Sequence, residues 1–244
     1  MSIVMSEWGP IYDTIPIRSQ EAATFAMKPI KQTRLKKHNG GLAGTAYDFV
    51  LEMIVNRELP SGTIIQERKL AGSLGVSRTP MRDALGRLEG EGWLVRLTDR
   101  LLSVKTVTLD EYLQALQVRR LLETRAIVMA TPRIEKPVLE RLRAEVRKLS
   151  NHKNPTYDMH WKLDGDIHGT IAQGCGNAIM ASVIADLRRL TQLFESQTFP
   201  RRIKPGCAEH LAILDALIAG DAGKASKAMR AHLDCVRAGV MDLL

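Results

Sequence analysis

Apolar residues recur at helical spacing along most of this chain. Ala46, Phe49, Val50, Met53 and Ile54 share one face and predict a helix over about 44–57. Leu59-Pro60-Ser61-Gly62 is a turn cluster, followed by the short β-branched run Thr63-Ile64-Ile65. A second helix is predicted over 67–74, stopped at Gly75, a natural left-handed terminator. A third starts near Ser77 and runs to Gly90. The pattern then shortens. Residues 93–97 and 101–105 predict two strands, with Thr98-Asp99-Arg100 between them. Helix, helix, turn, helix and hairpin is the order of a winged helix-turn-helix.

From 108 onwards every periodic stretch is helical. Six are predicted, near 109–131, 136–151, 156–174, 177–196, 204–219 and 221–242. The breakers are Thr131-Pro132, 151–155, 174–176, Pro200 and Gly220. Loops this short make neighbouring helices antiparallel, as in a bundle. The expected fold class is therefore mainly α: an N-terminal winged helix-turn-helix over 43–107, then an all-helical bundle of about six helices over 108–244.

Composition narrows the function classes. Apolar residues make up 45% of 244, which excludes global disorder. The net charge of +8 favours anionic partners, though a basic soluble protein would show the same. Cys175, Cys207 and Cys235 form no C-x-x-C pair, which argues against a disulfide framework and suits a reducing compartment. No apolar run reaches the roughly 18 residues of a membrane span, and the N-terminus lacks a secretory pattern. The expected location is the cytoplasm, with no membrane partner. Residues 1–42 carry Arg18, Lys28, Lys31, Arg34, Lys36 and Lys37 against Glu7, Asp13 and Glu21, and are expected to form a mobile basic arm.

The segment from Glu67 to Leu85 holds the candidate DNA-reading chemistry. Arg78 and Arg82 are four apart and share a helix face at its N-terminal end. Arginine there can bond guanine O6 and N7 bidentately. Thr79 and the free N–H groups of the helix start suit phosphate. Ser77 can cap the helix by accepting a backbone N–H bond. Pro80 fits a first helical turn, whereas the rule for residues before proline would leave Thr79 outside. With Arg68 at the side and Arg100 on the hairpin, the DNA-facing set is Arg68, Ser77, Arg78, Thr79, Arg82 and Arg100. Spacing alone also permits an ordinary solvated basic face.

This segment resembles the winged-helix domain of the GntR family of bacterial regulators. The matching residues are Leu59-Pro60-Ser61-Gly62, 67–71 and 75–85, continued by Leu88-Glu89, Glu91-Gly92 and Leu94-Val95. The resemblance implies that Arg68, Arg78, Thr79 and Arg82 contact DNA. One residue departs from it: Leu101 stands after Arg100, where the family's wing usually has a glycine. Between 43 and 107 there are nine basic and eight acidic residues, so attraction to DNA must come from where the charges sit.

A second constellation lies in the bundle. Asp164 and His168 are four apart, and His210 and His232 fall on two later helices. One carboxylate and three imidazoles suit a divalent transition metal: zinc first, with nickel or manganese as alternatives. Spacing alone also permits ordinary core or surface histidines. Residues 110–240 resemble the helical, FCD-type sensor domain of the FadR subgroup of GntR regulators. The resemblance rests on Val118-Arg119, Leu122-Glu123, 164–168, Gly176-Asn177, 209–213, 219–221 and 228–233. It implies that Asp164, His168, His210 and His232 bind the metal. It also implies a small-molecule effector, a carboxylic acid, with Arg119 and Asn177 as candidate effector-binding residues. Arg119 could equally form a surface ion pair, and Asn177 could cap its helix.

The expected function is a ligand-responsive transcriptional regulator, a repressor, that binds a near-palindromic double-stranded operator as a homodimer. No nucleophile, phosphate loop or separate general base accompanies the metal-type residues, so no enzyme is expected. The alternatives are a metal-dependent enzyme, a pure metal-ion sensor, and an architectural DNA protein.

Overall fold

The computed structural model describes residues 41–198 and 203–242. The expected arm over 1–42 lies almost wholly outside the described residues. The first unit comprises α1 (Gly41–Val55), α2 (Glu67–Leu74), α3 (Arg78–Gly90), β1 (Leu94–Thr98) and β2 (Leu101–Val104). Leu70 and Ala71 of α2 and Met81, Ala84, Leu85 and Leu88 of α3 bury against Val50, Met53 and Ile54 of α1. Gly75 takes φ 72°, and its N–H group bonds back to the end of α2. A left-handed φ strains any residue that carries a Cβ, so glycine suits the tight turn between α2 and α3.

α3 begins at Arg78, so Thr79 lies inside the helix and Pro80 is its third residue. This corrects the expectation for Ser77. Its backbone is extended, as an N-cap requires, but its hydroxyl makes no capping bond. The third helical N–H is the one such a hydroxyl commonly accepts from, and proline has none. Thr108, Thr156 and Asp221, which precede helices without that obstacle, accept from the N–H groups of Glu111, Met159 and Lys224.

β1 and β2 pair antiparallel, Leu94 opposite Val104 and Arg96 opposite Leu102, with an irregularity between Arg96 and Thr98. The Thr63-Ile64-Ile65 run joins this hairpin: Ile64 bridges Ser103, and Ile65 N–H donates to the Leu102 carbonyl at 2.8 Å. Arg96 bonds Glu89 of α3, tying the wing to the third helix.

The second unit is α4 (Leu109–Ala130), α5 (Lys136–Ser150), α6 (Tyr157–Gly174), α7 (Ala178–Thr198), α8 (Ile203–Ile218) and α9 (Ala222–Met241). α4 packs on α6, α7 and α9, and α8 packs on α5 and α9. α4 and α7 run antiparallel: Tyr112 stacks on Phe194, while Arg119, two turns on, bonds Thr191. Ile127, Ile167, Ile171, Leu193, Ile213, Leu214, Met229 and Leu233 are buried. This core is continuous with that of the first unit. Its interior also holds Arg119, Glu123, Asp164, His168, Thr191, His210 and His232, all buried.

The two units meet along α7. Gln197 Nε2 donates to the Ile54 carbonyl, and Ser61 N–H donates to Gln197 Oε1 at 3.3 Å. Arg57, held at φ 64°, donates to the Ser196 carbonyl near the C-terminal end of α7, where a cation suits the helix dipole. Arg189 Nε donates to the Glu91 carbonyl at 3.0 Å.

Candidate functional site

α6 carries Asp164 and His168 one turn apart, and α8 and α9 bring His210 and His232 to the same point. One donor atom from each of the four lies within 4.8 Å of the others, and all four residues are buried. The imidazole centroids are 5.5 Å apart for His168–His210, 5.2 Å for His168–His232 and 4.8 Å for His210–His232.

Residues behind the rings fix how they face. His168 Nδ1 bonds a Glu123 carboxylate oxygen, and His232 Nδ1 bonds Glu209 Oε2 at 2.8 Å. With a carboxylate taking the Nδ1 proton, Nε2 of each ring carries the lone pair. His168 Nε2 and His210 Nε2 are buried without a hydrogen-bond partner. Both stand near Asp164 Oδ1, at 3.7 and 3.3 Å. Leaving such groups unsatisfied is costly, and a metal ion would satisfy both.

Protonation states agree. Burial, helped by the Arg188 cation, pushes His168 down to about 3, against the pull of Glu123 and Asp164. Burial likewise lowers His232. Neutral imidazole is the ligating form. Burial alone would raise the Asp164 carboxyl, but Arg188, His168 and His210 outweigh it and hold it well below the usual carboxylate range. The donor set therefore fits a divalent transition ion: one carboxylate and three imidazoles, with carboxylates behind His168 and His232.

The candidate effector residues divide. Arg119 is buried and occupied: Nε donates to Glu123 Oε1 at 2.7 Å and Nη1 to Thr191 Oγ1 at 2.8 Å. It forms a buried ion pair rather than a surface one, and it braces the carboxylate behind His168. Asn177 is exposed at the start of α7, where its Oδ1 accepts from Met180 N–H at 3.0 Å. Asn177 is a helix cap, so the structure supplies no cavity-lining role for it. Spacing did not reveal Arg188. Its Nη2 donates to Asp164 Oδ2, and its Nη1 is buried without a partner. Glu123, Glu209 and Thr191 were also missed as supports. Glu209 adjoins His210 and Glu123 lies one turn beyond Arg119, but only packing shows which atoms they meet.

In the first unit, Arg68, Ser77, Arg78, Thr79, Arg82 and Arg100 are all exposed. Arg78, Thr79 and Arg82 occupy the N-terminal part of α3. Arg100 lies in the turn between β1 and β2, where its N–H meets Thr98 Oγ1 at 3.4 Å.

Known proteins resemble both units. The family of bacterial regulatory proteins named gntR matches residues 42–100, and the FCD domain matches 114–234. An uncharacterized HTH-type transcriptional regulator in an unstable DNA locus of Streptomyces ambofaciens is 27% identical over 188 residues, 76% of this chain and 79% of that one. The fatty acid metabolism regulator protein of Escherichia coli is 45% identical over 53 residues, 21% of this chain and 22% of its own length. That likeness spans a fifth of each protein and carries no effector across. Among solved structures, Escherichia coli McbR/YncC superposes with TM-score 0.67 at 20% identity, covering 83% of this chain and 98% of that chain. A putative GntR regulator from Rhodococcus gives 0.62 at 18% identity, with the same coverages. At these identities the structures share a fold. The matches are regulators, not enzymes. The chain thus belongs to the GntR family of bacterial transcriptional regulators, with a DNA-binding winged helix followed by a helical, ligand-binding FCD domain.

Proposed function

We propose that this protein is a cytoplasmic repressor that binds a near-palindromic operator as a homodimer and loses DNA affinity when a small organic acid occupies its metal centre. The observation that carries this reading is the buried cluster of Asp164, His168, His210 and His232, with two imidazole nitrogens left unsatisfied. Zinc suits one carboxylate and three imidazoles. Such an ion would supply a Lewis-acidic position for a carboxylate oxygen by taking a fifth ligand beside these four. Arg188, with its buried, unpartnered Nη1, is the cation beside that position. Arg119 keeps its partners and holds the wall of the site.

Exposed apolar residues support the dimer. Leu121 of α4 is 64% exposed and Ile179 of α7 is 79% exposed, with Val118 and Val183 also exposed on the same antiparallel pair of helices. A second copy would cover them. Two recognition helices related by a twofold axis then meet two half-sites.

A thermal-shift series tests the effector reading. Zinc-loaded protein is melted with a panel of small organic acids, and again as His210→Ala. An acid at a hundredfold excess over its Kd adds about 2.7 kcal/mol. The expected result is a shift from one acid that disappears in the variant, together with release of DNA by that acid. One observation favours a second reading, a pure metal-ion sensor. Four donors already converge, and a tetrahedral ion held by all four has no position left for a ligand. Zinc that stabilises the fold and alters DNA binding, with no response to any acid, would establish that reading instead.

A further inference from the structure

Arg78 and Arg82 do not stand free on the recognition helix. Both guanidinium groups close on one carboxylate, Glu67, in the first turn of α2. Arg78 Nε donates to Glu67 Oε1 at 3.0 Å. Arg82 donates through Nε to Oε2 and through Nη2 to Oε1, each at 3.3 Å. The arginine side chains are 65% and 67% exposed, whereas that of Glu67 is 25% exposed. The anion is the sheltered member and the cations face outwards. Partial burial would raise the Glu67 carboxyl, but the two arginines outweigh it and lower it, so it remains charged.

The geometry separates two kinds of DNA contact. Arg78 uses only Nε on Glu67, so its terminal nitrogens, the fork that meets guanine O6 and N7, are not taken by that carboxylate. A long side chain loses rotamer freedom when it docks, and a guanidinium already held in place loses less. Phosphate attraction behaves oppositely, because it grows with the positive charge presented. A carboxylate set between two arginines cancels one of their two charges.

We propose that Glu67 is a specificity-determining positioning residue: it aims Arg78 at base edges and withholds part of the charge of Arg78 and Arg82 from phosphates. This rests on the reading of α3 as the recognition helix.

The test uses the full-length chain. Random-sequence duplexes are enriched on the wild-type protein to obtain a preferred duplex. Affinities for that duplex and a scrambled one are then measured across a salt series for wild type, Glu67→Gln and Glu67→Asp, with thermal melting as the folding control. Glu67→Gln should bind the scrambled duplex more tightly, with its salt slope steeper by about one. Its preference for the selected duplex should fall by about tenfold or more. Glu67→Asp keeps the charge but not the reach, so it should lose preference without steepening the slope. Unchanged preference in both folded variants overturns the proposal while leaving α3 as the reading helix. A wild-type protein that enriches no duplex overturns that underlying reading, and the proposal with it.

Discussion

Glu123 and Glu209 each stand behind a histidine of the cluster, but in different surroundings. Glu123 is fully buried and shared between Arg119 and His168. Removing it would strand a buried arginine, so a variant there tests the fold as much as the site. Glu209 is more accessible, with 17% of its side chain exposed, and holds His232 at 2.8 Å. Glu209→Gln should therefore leave the fold intact and weaken metal binding by about tenfold to a hundredfold, read by competition with a chromogenic chelator. An unchanged affinity would remove Glu209 from the site. At this scale the sequence was only partly legible. Asp164 and His168 were visible as a pair because one helical turn separates them. Arg188 was not, because nothing in its own helix marks which residue it meets on α6. Ser77 looked like a cap by residue type, and the proline three places later denied it the bond. Arg119 showed its charge, while its burial came from α7 packing across it.

α7 is the element that touches both units. Arg188 reaches Asp164, and Thr191 accepts from Arg119, on the side of the metal-type cluster. Arg189, Ser196 and Gln197 bond the Glu91 carbonyl, Arg57 and the Ile54 carbonyl in the DNA-binding unit. Periodicity delimited this helix well, because Gly176 precedes it and Pro200 follows it. Its two allegiances were not legible, since an amphipathic pattern records burial but not the partner. Loss of the Gln197 bonds should cost about 1 kcal/mol of stability. The larger effect of Gln197→Ala should be on communication. DNA affinity with and without zinc should differ less in the variant than in the wild type, while zinc affinity itself is unchanged. An undiminished zinc effect would place the coupling in another contact.

Over the whole molecule, one apolar core runs from the winged helix into the bundle, and the charges buried in it set how stability follows pH. Two groups oppose one another. His168 is lowered from 6.5 to about 3, so its contribution is present above pH 6.5 and lost as pH falls towards 3. Glu195, which accepts a hydrogen bond from Tyr112, is raised from 4.5 to about 7, chiefly by burial. Its contribution is present below pH 4.5 and lost as pH rises through 7. Between about 4.5 and 6.5 the two slopes offset each other. Glu195→Gln removes one of them, so the metal-free variant should gain stability more steeply than wild type from pH 5 to 6.5, followed by denaturant unfolding. Equal slopes would show that Glu195 is ionised in the folded protein.

The span of α7 between Arg188 and its last contacts with the winged helix has a mechanical consequence. Nine residues separate Arg188 from Gln197, about 14 Å of helix. Pivoted near Arg188, a tilt of about 5° sweeps the far end through roughly 1 Å, enough to break the 3.3 Å bond from Ser61 N–H to Gln197 Oε1. The helix is a lever arm pivoted in the sensor. A displacement too small to disturb packing around the histidines is larger where Gln197 meets the Ile54 carbonyl and Ser61 of the winged-helix unit.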